Sequence, residues 1–117
     1  MEESILVTIR TLLGYATDEE TTPFDADIIS NINSVLNSLT QMGVGPDEGF
    51  EITGVTETWS DFLGENAIKF NMVKTYIANR VKLAWDSGTM SSTMAEALRN
   101  DIAQTEWRIG IIVDNLG

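Results

Sequence analysis

The sequence predicts a mainly α-helical protein, a small bundle of about four helices with a loop or a short strand or hairpin between the second and third. Three observations carry that expectation. Apolar residues recur at three- and four-residue spacing in separate stretches, the period that lines one side of a helix. Ser or Thr followed three residues later by an acid, with Gly at the ends of the stretches, marks where helices start and stop. A length of 117 residues is close to the commonest size of one domain, so a single domain, residues 1–117, is expected.

The first helix is expected from Ser4 to Tyr15, with Ile5, Leu6, Ile9, Leu12 and Leu13 on one side and Gly14 placed to end it. Asp18 to Thr21 reads as a charged loop. Thr22-Pro23-Phe24-Asp25 then offers a hydroxyl at the N-cap, proline at the first helical position and a carboxylate at the third. The second helix that opens there carries an apolar stripe of Ile28, Ile32, Val35, Leu36 and Leu39, with Met42 near its end and Gly43 to close it. Its opposite face, Asn31, Asn33, Ser34, Asn37 and Ser38, is polar but uncharged.

Between Val44 and Val55, glycines and a proline surround Phe50-Glu51-Ile52-Thr53, a pattern suited to a loop with a brief strand that could pair with a neighbour. Thr58-Trp59-Ser60-Asp61 has capping-box spacing, and Trp59, Phe62 and Leu63 would anchor a single helical turn. The third helix is expected from about Ala67 to Trp85, at the centre of the core, with Phe70, Val73, Ile77, Val81, Ala84 and Trp85 on its stripe. Asp86-Ser87-Gly88 breaks it. Thr93-Met94-Ala95-Glu96 reads as a capping box opening a fourth helix with Leu98, Ile102 and Ile109 inward and Trp107 off the stripe. Ile109 to Val113 is an apolar tail whose burial the pattern leaves open.

Apolar residues make up 43% of the chain and charged residues 21%, the balance of a globular protein rather than a disordered one. A net charge of -11 repels phosphates unless positive charge is gathered on one face, which disfavours ordinary nucleic-acid binding. The charge is uneven. Residues 1–66 hold one basic residue, Arg10, against thirteen acidic ones, whereas residues 67–117 hold six basic against five acidic. That polarity fits either a solvated acidic face or complementary halves that orient subunits head to tail. The chain starts Met-Glu-Glu without a basic leader, and no apolar run approaches the roughly 18 residues of a membrane span, so a soluble intracellular protein with no membrane contact is expected.

Histidine and cysteine are both absent, which removes the commonest general base, thiolate nucleophiles, thiolate metal sites and disulfides. Two carboxylate pairs remain, Asp25 with Asp27 and Asp47 with Glu48. Residues two apart on a helix point in different directions, and the second pair lacks the further oxygens of a calcium loop. The glycines at 43, 45 and 49 are not followed by a phosphate-binding pattern. The expectation is a protein without enzymatic activity, cofactor or metal, whose sites are protein interfaces: the loop around Phe50 and Ile52, the polar face of the second helix at Asn33 and Asn37, and Trp107 with Arg108. Tryptophan and arginine are enriched at interface hot spots, although core packing accounts for Trp107 equally well at this stage.

An ordered series of pieces runs along nearly the whole chain: Phe24-Asp25-Ala26-Asp27, then IISNINSVLNSLTQMGVG from Ile28 to Gly45, Gly49-Phe50, Trp59-Ser60-Asp61-Phe62-Leu63, the helix VKTYIANRVKLAWD, and QTEWRI. This series resembles the head-tail connector proteins of tailed bacteriophages of Gram-positive hosts. It departs from them after the third helix, where Asp86-Ser87-Gly88 stands in place of a Pro-rich stop. The resemblance implies a structural neck protein in the virion, assembled in the host cytoplasm. It would form a homo-oligomeric ring, dodecameric on the portal, that meets the portal protein on one side and tail-side neck proteins on the other while DNA passes through without sequence-specific binding. An acidic wall would repel DNA and so permit its passage. From charge alone, the competing reading is an acidic DNA mimic or regulatory module that occupies a basic site on another protein, but many of the acids, Asp18, Glu19, Glu20, Asp47 and Glu48, fall in expected loops rather than in rows on one face.

Overall fold

The computed structural model describes residues 3–14, 25–66, 70–86, 88 and 90–116. They form α1 (Ile5–Leu12), α2 (Asp25–Gln41), the short α3 (Trp59–Leu63) continued by a 3-10 turn (Gly64–Asn66), α4 (Val73–Asp86) and α5 (Ser92–Leu116). The mainly helical fold read from the sequence is the one observed. The expected opening of the second helix at Thr22 and Pro23 lies outside the described residues, as does the Asp18–Thr21 loop.

Helix α1 starts because the Ser4 side chain accepts the Val7 N–H at 3.3 Å, replacing one of the bonds the first turn lacks. It buries Ile5, Leu6 and Ile9 as expected, and also Arg10, which is only 2% exposed. Leu12 departs from the expected stripe. It is 49% exposed on the last helical residue, and Leu13 at the C-cap turns against the core instead.

All five stripe residues of α2, Ile28, Ile32, Val35, Leu36 and Leu39, are buried, each worth roughly 1.5–3 kcal/mol in transfer from water. The helix closes at Gly43, φ 95°. The Gly43 N–H bonds to Thr40 O and the Val44 N–H reaches back to Leu39 O, the paired bonds that a left-handed residue allows at a helix end. A Cβ at Gly43 would stand 2.9 Å from Val113 Cγ1, so the glycine also lets the end of α5 seat on the end of α2.

Of the two alternatives for the segment between α2 and α3, the loop is realised. The expected strand around Phe50–Thr53 does not form, and the described residues contain only an isolated antiparallel bridge between Ser4 and Thr58. Around that bridge Ile5 N–H bonds to Glu57 O at 3.0 Å and Trp59 N–H to Glu3 O at 3.1 Å, tying the start of the chain to the entrance of α3. The Thr58–Asp61 capping box is present in both directions, and Trp59, Phe62 and Leu63 are buried.

Helix α4 begins at Val73 rather than near Ala67; Phe70–Met72 form a turn that leads in through Val73 N–H to Phe70 O and Lys74 N–H to Asn71 O, and residues 67–69 lie outside the described set. It is the central helix, packed against α1, α2 and α5. Phe70, Val73, Ile77 and Val81 are buried as expected, together with Tyr76 and Ala78, whereas Ala84 near the helix end is exposed and Trp85 half-buried. The cap of α5 is Ser91, not Thr93. Its Oγ accepts the Met94 N–H at 3.1 Å and its carbonyl the Ala95 N–H at 3.0 Å, so the helix starts two residues before the expected box. With 25 residues it is about 37 Å long and spans a molecule whose largest extent is 40 Å. Ile109 is fully buried, Ile102, Ile112 and Val113 pack partly on the core, and Ile111 is left 41% exposed.

Candidate protein interface

Two surface regions hold the residues singled out from the sequence. The first is an open groove of about 820 Å³ between the outer face of α2 and the loop 48–51. Its helical side is built by Ile29, Asn33 and Asn37, and its loop side by Glu48, Phe50 and Glu51. Glycine makes the loop possible. Gly45 has φ 83°, and a Cβ there would run into the ring of Phe62. That close approach brings Phe50 onto Phe62, ring centroids 5.3 Å apart and planes tilted by 41°, an arrangement favoured by the ring quadrupoles.

Asn33 fixes the other end of the loop. Its Nδ2 donates to Ile52 O at 3.0 Å and its Oδ1 accepts from Ile52 N–H at 2.7 Å. The side-chain amide thus satisfies the Ile52 backbone groups that a neighbouring strand would otherwise pair. Ile52 itself is 1% exposed and belongs to the core; it supports the groove from beneath and shows no side chain at the surface. The loop is braced further on by Glu57, whose carboxylate accepts from Thr53 N–H at 3.1 Å, Thr53 Oγ1 at 2.8 Å and Gly54 N–H at 3.4 Å. Burial raises the Glu57 pKa, but these donated bonds outweigh it and hold the carboxyl below its ordinary value.

The second region is on α5. Trp107 is 70% exposed, with Arg108 exposed beside it, which resolves the choice between surface and core. Ala103, Trp107 and Ile111 recur every four residues on this outer side. Behind Ala103 a smaller cleft of about 310 Å³ is lined by Arg80 of α4 and by Arg99, Ile102 and Glu106 of α5. Tyr76 joins the two helices: its hydroxyl donates to Glu106 Oε2 at 2.7 Å and accepts from Arg80 Nη1 at 3.2 Å. Burial, followed by the bond to the Glu106 carboxylate, pushes the Tyr76 phenol above its ordinary pKa.

Phe50, Asn33 and Asn37 therefore share one groove, while Trp107 and Arg108 lie apart from it. Sequence reasoning did not single out Glu51, Arg80 or Arg99 as members of these surfaces. The available signal for Glu51 was its place next to Phe50; the two arginines are brought together only by the packing of α4 on α5. Among the described residues no three His, Cys, Asp or Glu side chains are grouped to hold a metal ion, and no helix is long and apolar enough to cross a membrane.

Compared with known proteins, the chain matches one family model, described as phage connector protein, over residues 5–115. No curated protein and no solved structure matches it.

Proposed function

This chain belongs to the phage connector protein family, and from that premise we propose that it is a neck protein that forms a ring beneath the portal, joins the DNA-filled head to the tail and lines part of the DNA passage. The observation that carries this reading is the extent of the match, which runs from the start of the first helix to within one residue of the end of the last and so takes in every described helix rather than one motif. The role is assembly, not catalysis, and its partners are further copies of itself, the portal protein and the tail-side neck proteins. Its place is the virion neck, reached through assembly in the host cytoplasm.

Two further features support it. A tryptophan 70% exposed is what an isolated globular domain usually avoids and what interface hot spots are built from. The -11 charge suits a channel wall along which DNA must slide without adhering. The test is the mass of the purified protein in solution, alone and with the portal of its own phage, by light scattering coupled to size exclusion. A ring, alone or on the portal, is expected. A monomer that never joins a portal would overturn the reading and bring the acidic regulatory module forward.

A further inference from the structure

The groove and the Trp107 surface are chemical complements. Inside the groove, Phe50 and Ile29 offer apolar area, the Asn37 amide offers donors and acceptors, and Glu48 and Glu51 add two exposed carboxylates with no basic residue in the lining. A flat apolar body with one N–H, next to a forked cation, satisfies all three requirements. Trp107 and Arg108 are that pair, since an indole carries a single donor on a large apolar ring and a guanidinium presents five donors in a plane matched to carboxylates. Among the described residues neither side chain has a hydrogen bond, ion pair or ring contact of its own. The nearby acid Glu106 accepts a hydrogen bond from the Tyr76 hydroxyl and lines the neighbouring cleft with Arg80 and Arg99, which leaves Arg108 as the exposed cation beside Trp107 in the chain.

Position matters as much as chemistry. Helices α2 and α5 both pack on α4 and have little contact with one another, and neither Trp107 nor Arg108 lines the α2 groove, so the two surfaces are separate. A contact between unlike surfaces leaves a free groove at one end and a free tryptophan at the other, the condition for a head-to-tail series that closes as a ring.

We propose that Trp107 and Arg108 of one copy seat in the α2 groove of the next, the indole against Phe50 and the guanidinium between Glu48 and Glu51. This pairing deepens the ring reading and rests on it.

The absence of cysteine makes a covalent test free of background. A chain carrying both Glu51→Cys and Arg108→Cys, oxidised under the conditions in which the wild type assembles, is expected to give a ladder of covalent multimers on a denaturing gel. Each single variant is expected to stay monomeric. A double variant that assembles by light scattering yet gives no ladder, or stops at a dimer, would overturn the pairing while leaving the ring intact. Failure of the wild type to assemble with or without its portal would instead remove the ring reading itself, and the pairing with it. A second arm uses charge. R108E is expected to weaken association roughly thirtyfold, the loss typical of a hot-spot residue, and addition of E51R to restore most of it, which a folding defect would not do. If W107A forms normal rings but no longer joins the portal, the surface belongs to portal docking and the proposal fails.

Discussion

Asn33 holds Ile52 by donating to its carbonyl and accepting from its N–H, so truncating it leaves two half-buried backbone groups without partners. Asn33→Ala is expected to cost about 1–3 kcal/mol, read as a lower urea midpoint with an unchanged slope. Glu57 makes the same loop sensitive to acid. Its carboxyl titrates below the ordinary 4.5 in the folded protein, so the unfolded chain takes up the proton more readily. Its contribution is therefore complete above that value and lost as the pH falls through the lower folded pKa. Glu57→Gln should flatten this acid-side loss, measured as the urea midpoint against pH from neutral downward. At this scale the sequence disclosed residue types but not their partners. Asn33 was legible as part of a polar face, yet its bond spans nineteen residues, and no local pattern reports where a loop returns. Arg10, legible only as a charge, is buried.

Helix existence was legible wherever an apolar stripe met a stop signal, as in α2, where Ile28 to Leu39 are buried and Gly43 closes the helix. Boundaries were less so. Thr93 and Ser91 both offer a hydroxyl near the start of α5, and only the geometry at Met94 shows that Ser91 is the cap. Tyr76 was missed on α4 because its position is off the apolar stripe, and its hydroxyl finds Arg80 one turn further along α4 and Glu106 only through the packing of α4 against α5. Glycine substitutions separate what the connecting loop needs from what a helix tolerates. Gly45→Ala is expected to destabilise by about 1–3 kcal/mol, since its φ is 83° and its Cβ would meet Phe62. Gly110→Ala, in the interior of α5 with nothing within 4 Å of the added Cβ, should stabilise by about 0.5–1 kcal/mol through helix propensity. Thermal midpoints of the two variants should therefore move in opposite directions.

The whole molecule adds what no single element holds, the residues that packing gathers at each surface. The division between an acidic first part and a near-neutral second part was legible from residue counts; that Glu48 and Glu51 rim a groove on α2 while Arg80 and Arg99 gather against α5 was not, because it depends on how both helices are set on α4. The Glu3–Lys74 pair, 2.8 Å apart at the surface, joins the two parts within the chain and adds at most about 1 kcal/mol; in the proposed ring the remaining polarity would act between copies. Assembly is accordingly expected to weaken as salt shortens the screening length from about 10 Å at 0.1 M to about 3 Å at 1 M, and rings indifferent to ionic strength in light scattering would count against charge pairing. The tryptophans sit in three different environments: Trp59 is 3% exposed, Trp85 half-buried and Trp107 70% exposed. The chain thus carries its own optical reporter. In the free protein the red edge of the emission should come from Trp107 and be quenched by iodide or acrylamide; if the proposed pairing takes that indole out of water, the spectrum should shift blue and the quencher lose access, and assembly could be timed by light without a label.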